Sequence, residues 1–523
     1  MTTARRRFIL AATVALAAAA GAAAWLLHDR APTIDECRAA GRLPRISPDY
    51  VGVVLPPNIA PMNFLVNERG SRYLVRMSSD SGPAVEVHGR SPEVVIPAAK
   101  WRRLLEANRG KHLAVDVTVQ GDDGRWTRFE TIRNTIAREE IDGYLIYRTF
   151  KPLYSYWGPI SFHQRNLGTF DEQCLLDNED LGSRAGCMNC HMPYRNRADT
   201  MVMQVRGPGG GMLLLKDGAI QKVETRTPRN KAPAAVASWH PDGRLIVFTT
   251  SKVQQFFHMA GSEVRDAIDM NSNLIVYSLD DQRVTSTPQI TRPEFLEAWP
   301  QWSTDGKHLY FCRADKRWTD DDVVPPERYR DVRYSLVRIG YDADAGRWGE
   351  VETVLSAERV GKSITIPRFS PDGRWCVVCM SNYSYQASFQ ADADLYIIDM
   401  ATGEYRRLEC SSDLSESWHS WSSNGRWLAF SSKRRDGQFL RAYFSYIDAA
   451  GKAHKPVLMP QENPRFYDRS ITVYHVPELT TGPVPVTPDQ LLAAIRSADM
   501  IGADAVTEAS PPRQRSPDAG PRQ

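Results

Sequence analysis

The sequence predicts an all-β fold dominated by a β-propeller of about six blades, and a repeated hairpin pattern carries this prediction. Four segments share an aromatic residue, a tight Asp-Gly or Asn-Gly turn and an alternating apolar strand. They are SWHPDGRLIVFTTS (238–251), QWSTDGKHLYFCR (301–313), RFSPDGRWCVVCMS (368–381) and SWSSNGRWLAFSS (420–432). A second pair of strand-like stretches follows each segment, and four strands per repeat make one propeller blade.

The limits of the propeller follow from weaker copies of this pattern. Strand-like stretches in residues 143–170 and 200–226 predict two earlier blades, and RSITVYHVPE (469–478) is placed to close the ring by completing a blade begun earlier. The turn glycines lie 52 to 67 residues apart, more than the roughly 40–45 residues of an uninterrupted blade, so the loops carry insertions. We therefore expect a propeller over residues 143–480 with six blades, five and seven being the alternatives.

Two further regions precede the propeller. Residues 1–30 carry Arg5, Arg6 and Arg7, followed by an uncharged and mostly apolar run from Phe8 to Leu27 that is long enough to cross a bilayer core. We expect a retained signal-anchor helix with its arginines in the cytoplasm, the alternative being a cleaved signal peptide. Residues 48–138 alternate like half-buried strands around one short helix, which predicts a small immunoglobulin-like β-sandwich.

At the C-terminal end, residues 487–523 predict a short helix and a disordered tail. The stretch Thr487-Pro488-Asp489-Gln490 has the composition of a helix N-terminal cap. The final residues, EASPPRQRSPDAGPRQ, are too polar and too rich in proline to form a packed core.

The motif that carries chemistry is CMNCH, in which Cys187, Cys190 and His191 have C-x-x-C-H spacing. In this pattern two thiols add to the haem vinyl groups and the adjacent imidazole reaches the iron. We predict one covalent haem c, held by an insertion over residues 171–199, with His191 as the proximal iron ligand. A zinc site, a redox dithiol and a plain disulfide are the alternatives, although the other C-x-x-C, at Cys376 and Cys379, lies in an apolar β-rich run unsuited to chelation.

The sixth iron ligand decides whether such a haem transfers electrons or binds gases, because an electron carrier keeps both axial positions filled. Met201 or Met203 is the first candidate, since both lie shortly after the motif. The same methionines also begin an alternating strand, where they would be core residues of a blade. His163, upstream of the motif, is the alternative ligand.

Composition and charge exclude some classes of function. The net charge is +3, and no block of lysine and arginine stands out beyond the N-terminus, so we expect no nucleic-acid partner. The sequence contains no nucleophile elbow, no phosphate-binding glycine loop and no identifiable carboxylate pair. His240 and His419 follow blade aromatics and are interpreted as hydrogen-bonded blade residues.

The repeats and the motif together resemble a known family. The SPDG-type blades are similar to TolB-like, WD40-like propeller repeats, often called PD40. With VVLPPNIAPMNFLV, CMNCH and ESWHSWSSNGRWLAFSSKRRDG, residues 48–480 resemble exported propeller proteins that carry one C-x-x-C-H and are loosely labelled cytochrome c biosynthesis proteins. The resemblance implies the architecture and the haem site, and it implies little about activity.

Two functions are therefore expected. The first is a membrane-anchored periplasmic cytochrome with one haem, which relays electrons and uses the propeller to dock a redox partner. The second is a TolB-like binding or assembly module whose haem is structural or sensory. A soluble periplasmic form after cleavage is the alternative to membrane anchoring, and an enzyme using the propeller channel is a weaker third possibility.

Overall fold

The computed structural model describes residues 36–151, 159–181, 188–207, 209–226, 232–259, 265–502 and 504–506. This part of the chain is all-β with four short helices, which are α1 (Ala98–Glu106), α2 (Ala357–Val360), α3 (Phe466–Arg469) and α4 (Pro488–Arg496). None of the helices described is long and apolar enough to span a bilayer. The predicted signal anchor, residues 1–30, lies outside the described residues.

The N-terminal region consists of ten short strands. They are β1 (Cys37–Ala39), β2 (Ile46–Ser47), β3 (Val54–Leu55), β4 (Phe64–Val66), β5 (Arg72–Ser78), β6 (Val85–Gly89), β7 (Glu93–Val94), β8 (His112–Gln120), β9 (Trp126–Arg128) and β10 (Ile132–Ile136). Seven of them form one sheet, in which β5 joins β6 to β8, and β2, β4 and β7 form a second sheet. The buried side chains of α1, which are Trp101, Leu104 and Leu105, belong to the same apolar core as both sheets.

The β-character predicted for this region is confirmed, and nothing in its strand pairing supports the finer prediction of an immunoglobulin-like sandwich. The pairs β1–β9 and β10–β3 are parallel, whereas an immunoglobulin-like sandwich is built from two antiparallel sheets. Alternating sequence patterns fix which side chains are buried, but they do not fix which strands pair.

The propeller contains twenty-four strands. They are β11 (Tyr144–Phe150), β12 (Ile160–Asn166), β13 (Glu172–Asp177), β14 (Met188–Tyr194), β15 (Arg197–Val205), β16 (Gly211–Lys216), β17 (Ala219–Glu224), β18 (Ala234–Trp239), β19 (Leu245–Phe257), β20 (Arg265–Ser278), β21 (Arg283–Thr285), β22 (Phe295–Trp302), β23 (His308–Asp315), β24 (Ser335–Asp342), β25 (Arg347–Leu355), β26 (Ser363–Phe369), β27 (Trp375–Ser381), β28 (Asp394–Asp399), β29 (Tyr405–Arg407), β30 (Glu416–Trp421), β31 (Trp427–Ser432), β32 (Arg441–Tyr446), β33 (Val457–Leu458) and β34 (Val473–Thr480).

These strands form six four-stranded blades in the described part of the chain. From the axis outward, blade 1 is β34-β11-β12-β13, and blades 2 to 6 are β14 to β17, β18 to β21, β22 to β25, β26 to β29 and β30 to β33. The inner strands of neighbouring blades contact one another all the way round, and β14 contacts β34. The ring is therefore closed, because the last strand pairs with the first, and it spans Tyr144 to Thr480.

The repeated turns explain how neighbouring blades fit together. Gly306 and its counterparts in the other repeats have φ between +67° and +74°, a left-handed conformation that favours glycine. A Cβ atom at Gly306 would lie 2.5 Å from Nε2 of His240, in the turn of the preceding blade. Glycine is thus required both for the backbone conformation and for the close approach of consecutive turns.

The described residues of 171–199 form no side insertion, and this part of the sequence prediction is corrected. Within 171–199, Glu172–Asp177 is β13, the outer strand of blade 1, and Met188–Tyr194 is β14, the inner strand of blade 2. A C-x-x-C-H motif suggests a helical turn, but here the segment from Met188 pairs antiparallel with β15. The prediction failed because the C-x-x-C-H motif indicated a separate haem-binding segment, whereas the strand pattern of the blades continues through Met188–Tyr194.

The C-terminal segment returns to the outside of the propeller. The Thr487 side chain accepts a hydrogen bond from the Gln490 amide, and Gln490 caps Thr487 in return, so α4 starts with a capping box. Two short strands, β35 (Ile501–Gly502) and β36 (Asp504–Val506), then extend the outer edges of blades 2 and 3. The rest of the predicted tail lies outside the described residues.

Candidate functional site

The inner strands share an irregularity that shapes the propeller channel. In every blade a β-bulge interrupts the pairing of the inner strand with its neighbour. Five of these bulges place a residue other than glycine in the left-handed region, with φ between 50° and 58°: Cys190, Trp299, Ile366, Trp418 and Val476. Such residues are costly to hold, and bulges of this kind often occur where a side chain is re-aimed towards a site.

A cavity of about 510 Å³ opens at the N-terminal ends of the inner strands, and we call it the Cys190 cavity. Its walls include Cys190 and the aromatic side chains of Phe150, Trp299, Tyr385, Phe389 and Trp418. Its charged lining residues are Arg148, Lys151, Arg206 and Arg265, and among the described residues that line it there is no aspartate or glutamate. The cavity therefore combines flat apolar walls with an excess of positive charge.

A buried chain of hydrogen bonds fixes one of these arginines. The Arg148 Nη2 donates to Nδ1 of His475 over 2.6 Å, and Nε2 of His475 lies 2.9 Å from the Ser388 Oγ. Because arginine can only donate, Nδ1 must be the acceptor and Nε2 must carry the proton. The Trp418 Nε1 donates to the same Ser388 oxygen over 2.9 Å.

His475 stays neutral in this chain. Burial, and then the charge of Arg148, hold the pKa of His475 well below its ordinary value. The imidazole therefore contributes a fixed acceptor to Arg148 and no charge of its own.

The second buried arginine lies close to the first. Arg265 is stacked against aromatic rings, with its guanidinium carbon 5.5 Å from the ring centre of Phe389 and 5.9 Å from that of Phe150. Burial, and then the charge of Arg148, lower the pKa of Arg265. Arg148 and Arg265 thus bring two guanidinium groups to one wall, and guanidinium groups are suited to binding carboxylates.

The structure places Cys190 and His191 of the haem motif in different surroundings. Cys187 lies outside the described residues, and Cys190 lines the cavity. His191 does not line it: the side chain is buried, and its Nε2 donates to the Val476 carbonyl oxygen over 2.9 Å. Burial lowers the pKa of His191 to about 3.

His191 occupies the same place in β14 as His419 occupies in β30. The two bulges contain Cys190-His191 and Trp418-His419. The His419 Nε2 also donates to a main-chain oxygen of the preceding blade, that of Val377, over 2.9 Å. Burial lowers the pKa of His419 to about 3 as well. The position of His191 is thus a feature of the propeller scaffold that recurs without any neighbouring cysteine.

The candidate distal ligands also lie away from the Cys190 cavity. Met201 and Met203 are buried in the apolar core that includes Phe162 and Leu213. His163 is in β12, where its Nε2 lies 2.9 Å from the Ser161 Oγ. None of the three lines the cavity.

The cavity fits a covalently attached haem in three respects and fails in a fourth. Its volume lies within the roughly 300–1,000 Å³ of cofactor pockets, and its arginines suit the two propionates of a porphyrin. The thiol of Cys190 stands in its wall. The imidazole of His191, as placed, does not fit the role of axial ligand, because its Nε2 donates to Val476.

Sequence reasoning did not find the charged side of this site. Arg148 comes from β11, Arg265 from β20 and His475 from β34, so two blades of the ring, blades 1 and 3, contribute to one wall. No local pattern marks these residues, and only the closure of the ring brings them together.

Comparisons with known proteins found similar solved structures but no related sequence. No family model and no curated protein sequence matches it. Among solved structures it is similar to oligogalacturonate lyase from Vibrio parahaemolyticus, with 12% identity over 61% of this chain and 86% of that one and a TM-score of 0.32. A putative 6-phosphogluconolactonase from Bacteroides fragilis is also 12% identical, over 75% of this chain and 97% of that one, with a TM-score of 0.32.

A third similar structure is the Dos1 propeller, which is 11% identical over 44% of this chain and 63% of that one, with a TM-score of 0.27. The strand pairing itself establishes the propeller here, and likenesses at these levels carry no argument about function.

Proposed function

We propose that the protein is a haem-carrying propeller in which the Cys190 cavity holds one haem c, attached through Cys187 and Cys190. The observation that carries the proposal is the location of Cys190, the second cysteine of the motif, in the wall of a cavity with four cationic side chains. The porphyrin plane would pack against Trp299 and Trp418, as aromatic walls favour. The propionates would accept hydrogen bonds from guanidinium groups at that wall.

Of the two expected functions, we favour the binding or assembly module with a structural or sensory haem. An electron relay needs an iron with both axial positions filled. His191, Met201, Met203 and His163 all lie in other surroundings than the Cys190 cavity. A haem attached by thioether bonds to the two cysteines, with none of these four side chains at its iron, would keep an axial position open to a small ligand.

The proposal includes the location and partners that the sequence predicts. The chain would act in the periplasm, anchored in the cytoplasmic membrane by residues 1–30. Its partner would be a periplasmic protein that docks on the propeller and responds to the state of the haem.

Covalent attachment is tested by haem-dependent peroxidase staining of denatured protein. We expect the wild type, produced in cells with active haem-attachment machinery, to stain and the Cys187→Ala/Cys190→Ala variant to lose the stain. The matched control is Cys37→Ala/Cys174→Ala, which removes two other thiols outside the fully buried core and should stain like the wild type. An unstained wild type would overturn the proposal.

The coordination state separates the two functions. We expect the reduced protein to bind carbon monoxide and to show a high-spin absorbance spectrum before binding. A low-spin spectrum that carbon monoxide leaves unchanged would favour the electron relay instead.

A further inference from the structure

A second cavity, of about 380 Å³, lies at the C-terminal ends of the inner strands, at the opposite end of the ring from the Cys190 cavity. We call it the Glu478 cavity. The inner strand of every blade contributes one polar or sulfur-containing side chain to it: Met192, Ser238, Gln301, Arg368, Ser420 and Glu478. A ligand in this cavity is therefore surrounded by side chains on all sides.

The two buried charges in this cavity are paired with each other, whereas the third charged lining residue, Arg195, is exposed. The Arg368 Nη2 donates to the Glu478 Oε1 over 2.8 Å, and the two side chains are only 12% and 8% exposed. The other terminal nitrogen of Arg368 contacts the sulfur of Met192 at 3.0 Å. A charged ligand would have to compete with this buried ion pair, whereas a hydroxyl group can accept from Arg368 and donate to Glu478 without changing the net charge.

The walls are aromatic, and one of them carries an unused donor. Trp239 and Trp421 each donate Nε1 to a main-chain oxygen of the preceding blade, at 3.0 Å to Met192 and 3.1 Å to Arg368. The equivalent Trp302 also lines the cavity and is 2% exposed, yet its Nε1 has no hydrogen-bond partner among the described residues. The three tryptophans therefore supply apolar ring surface to the cavity, and the Nε1 donors of Trp239 and Trp421 are used between neighbouring blades.

Gln301, next to Trp302, also has unused hydrogen-bonding capacity. The only hydrogen bond of its side chain among the described residues is a long one, 3.4 Å from Nε2 to the main-chain oxygen of Trp302. A side-chain amide can take part in up to four hydrogen bonds. The Gln301 amide thus offers a ligand both a donor and an acceptor on this wall.

From these observations we propose that the Glu478 cavity is a binding site for a neutral polyhydroxylated ring, a mono- or disaccharide. The encircling polar side chains meet hydroxyl groups that radiate from a ring, the aromatic walls pack against its apolar faces, and the internal ion pair disfavours ionic ligands. This site is separate from the haem site and does not depend on it.

The test is isothermal titration calorimetry of the full chain with glucose, galactose, maltose and cellobiose, and with galacturonate as the charged comparison. We expect heat of binding from at least one neutral sugar and none from galacturonate. Gln301→Ala should weaken that binding about tenfold, the effect of one lost hydrogen bond in a desolvated site. Gln301 is half-buried, so we expect this variant to fold, and its melting curve is the check.

Two controls make the result specific. Trp418→Phe changes the wall of the Cys190 cavity and should leave sugar affinity unchanged, as should the haem-free Cys187→Ala/Cys190→Ala variant. Failure of every neutral sugar to bind, preferential binding of galacturonate, or equal affinity in Gln301→Ala would each overturn the proposal. Sugar binding by haem-free protein would support it even if the haem proposal failed.

Discussion

The inner strands of blades 2 and 6 are built alike and differ at one informative position. Both contain a two-residue bulge whose second residue is a buried histidine that donates Nε2 to the preceding blade. The first residue is Cys190 in blade 2 and Trp418 in blade 6, both in the left-handed conformation. The blade contact therefore accounts for the histidine in both strands, and Cys190 is the residue that distinguishes blade 2 from blade 6.

This comparison changes how the motif is interpreted. In C-x-x-C-H the histidine and the cysteines are normally assigned to one haem. Here the repeat supplies an independent reason for the histidine, because His419 occupies the equivalent position with a tryptophan before it. The assignment of His191 to the iron and its assignment to the blade contact make different predictions, which experiments can separate.

The largest expected effect is the loss of stability when either histidine is removed. His191→Ala and His419→Ala should each lower the free energy of unfolding by about 3 kcal/mol, because each leaves a cavity and a buried carbonyl oxygen without its donor. Denaturant unfolding of both variants measures this. His112→Ala, at an exposed strand residue, is the control and should change stability little.

The same variants test the role of His191 at the iron. We expect the absorbance spectrum of the haem to be the same in wild type, His191→Ala and His419→Ala. A change of spin state or of the main absorbance band in His191→Ala alone would contradict the equivalence of the two histidines and restore His191 as an axial ligand.

A smaller effect is expected from pH. Burial lowers the pKa of both histidines to about 3 from an ordinary 6.5, so the unfolded chain takes up protons below pH 6.5 that the folded chain does not. Stability therefore falls as the pH drops from 6.5 towards 3, by about 2 kcal/mol per histidine at pH 5. The measurement is the difference in unfolding free energy between wild type and His419→Gln across this range.

Wild type must be compared with His419→Gln because other titrating groups change the stability in the opposite direction as the pH falls. Burial raises the pKa of Glu478 to about 7 from 4.5 in spite of Arg368. The unfolded chain therefore releases the Glu478 proton at a lower pH than the folded chain does. Stability falls as the pH rises from 4.5 to 7. Glu478→Gln should remove this opposing slope. Equal acid sensitivity in wild type and His419→Gln would show that the histidine is not held neutral by the fold.

Much of the propeller could be predicted from sequence, because each blade repeats a local signal. The turns at Gly243 and Gly306, for example, pair an aromatic residue with a tight turn and an alternating strand. The strand nature of Met188–Tyr194 was missed because its blade lacks that turn and because the cysteine motif suggested a different local structure.

Only the part of the candidate site that lies within one short stretch of sequence could be predicted. Cys190 belongs to a recognisable motif, whereas Arg148, Arg265 and His475 meet through the closure of a ring over more than three hundred residues of chain. Pairing of β34 with β11 brings His475 beside Arg148. A single sequence indicates where the strands are. It does not indicate which strands place their side chains in the same cavity wall.

The smallest expected effect concerns the backbone of the bulge itself. Cys190 has φ 58°, and a residue with a Cβ atom costs about 1 kcal/mol there relative to glycine. In haem-free protein we therefore expect Cys187→Ala/Cys190→Gly to be more stable than Cys187→Ala/Cys190→Ala by about 1 kcal/mol, as denaturant unfolding would show. The matched control is Ala235→Gly in the bulge of β18, which has no left-handed residue, and there the same alanine-to-glycine change should destabilise by about 1 kcal/mol. The opposite signs follow from backbone conformation alone, since both changes remove one methyl group. If glycine at position 190 proved destabilising, the left-handed bulge would not be present in blade 2. The equivalence of β14 and β30 would then be wrong.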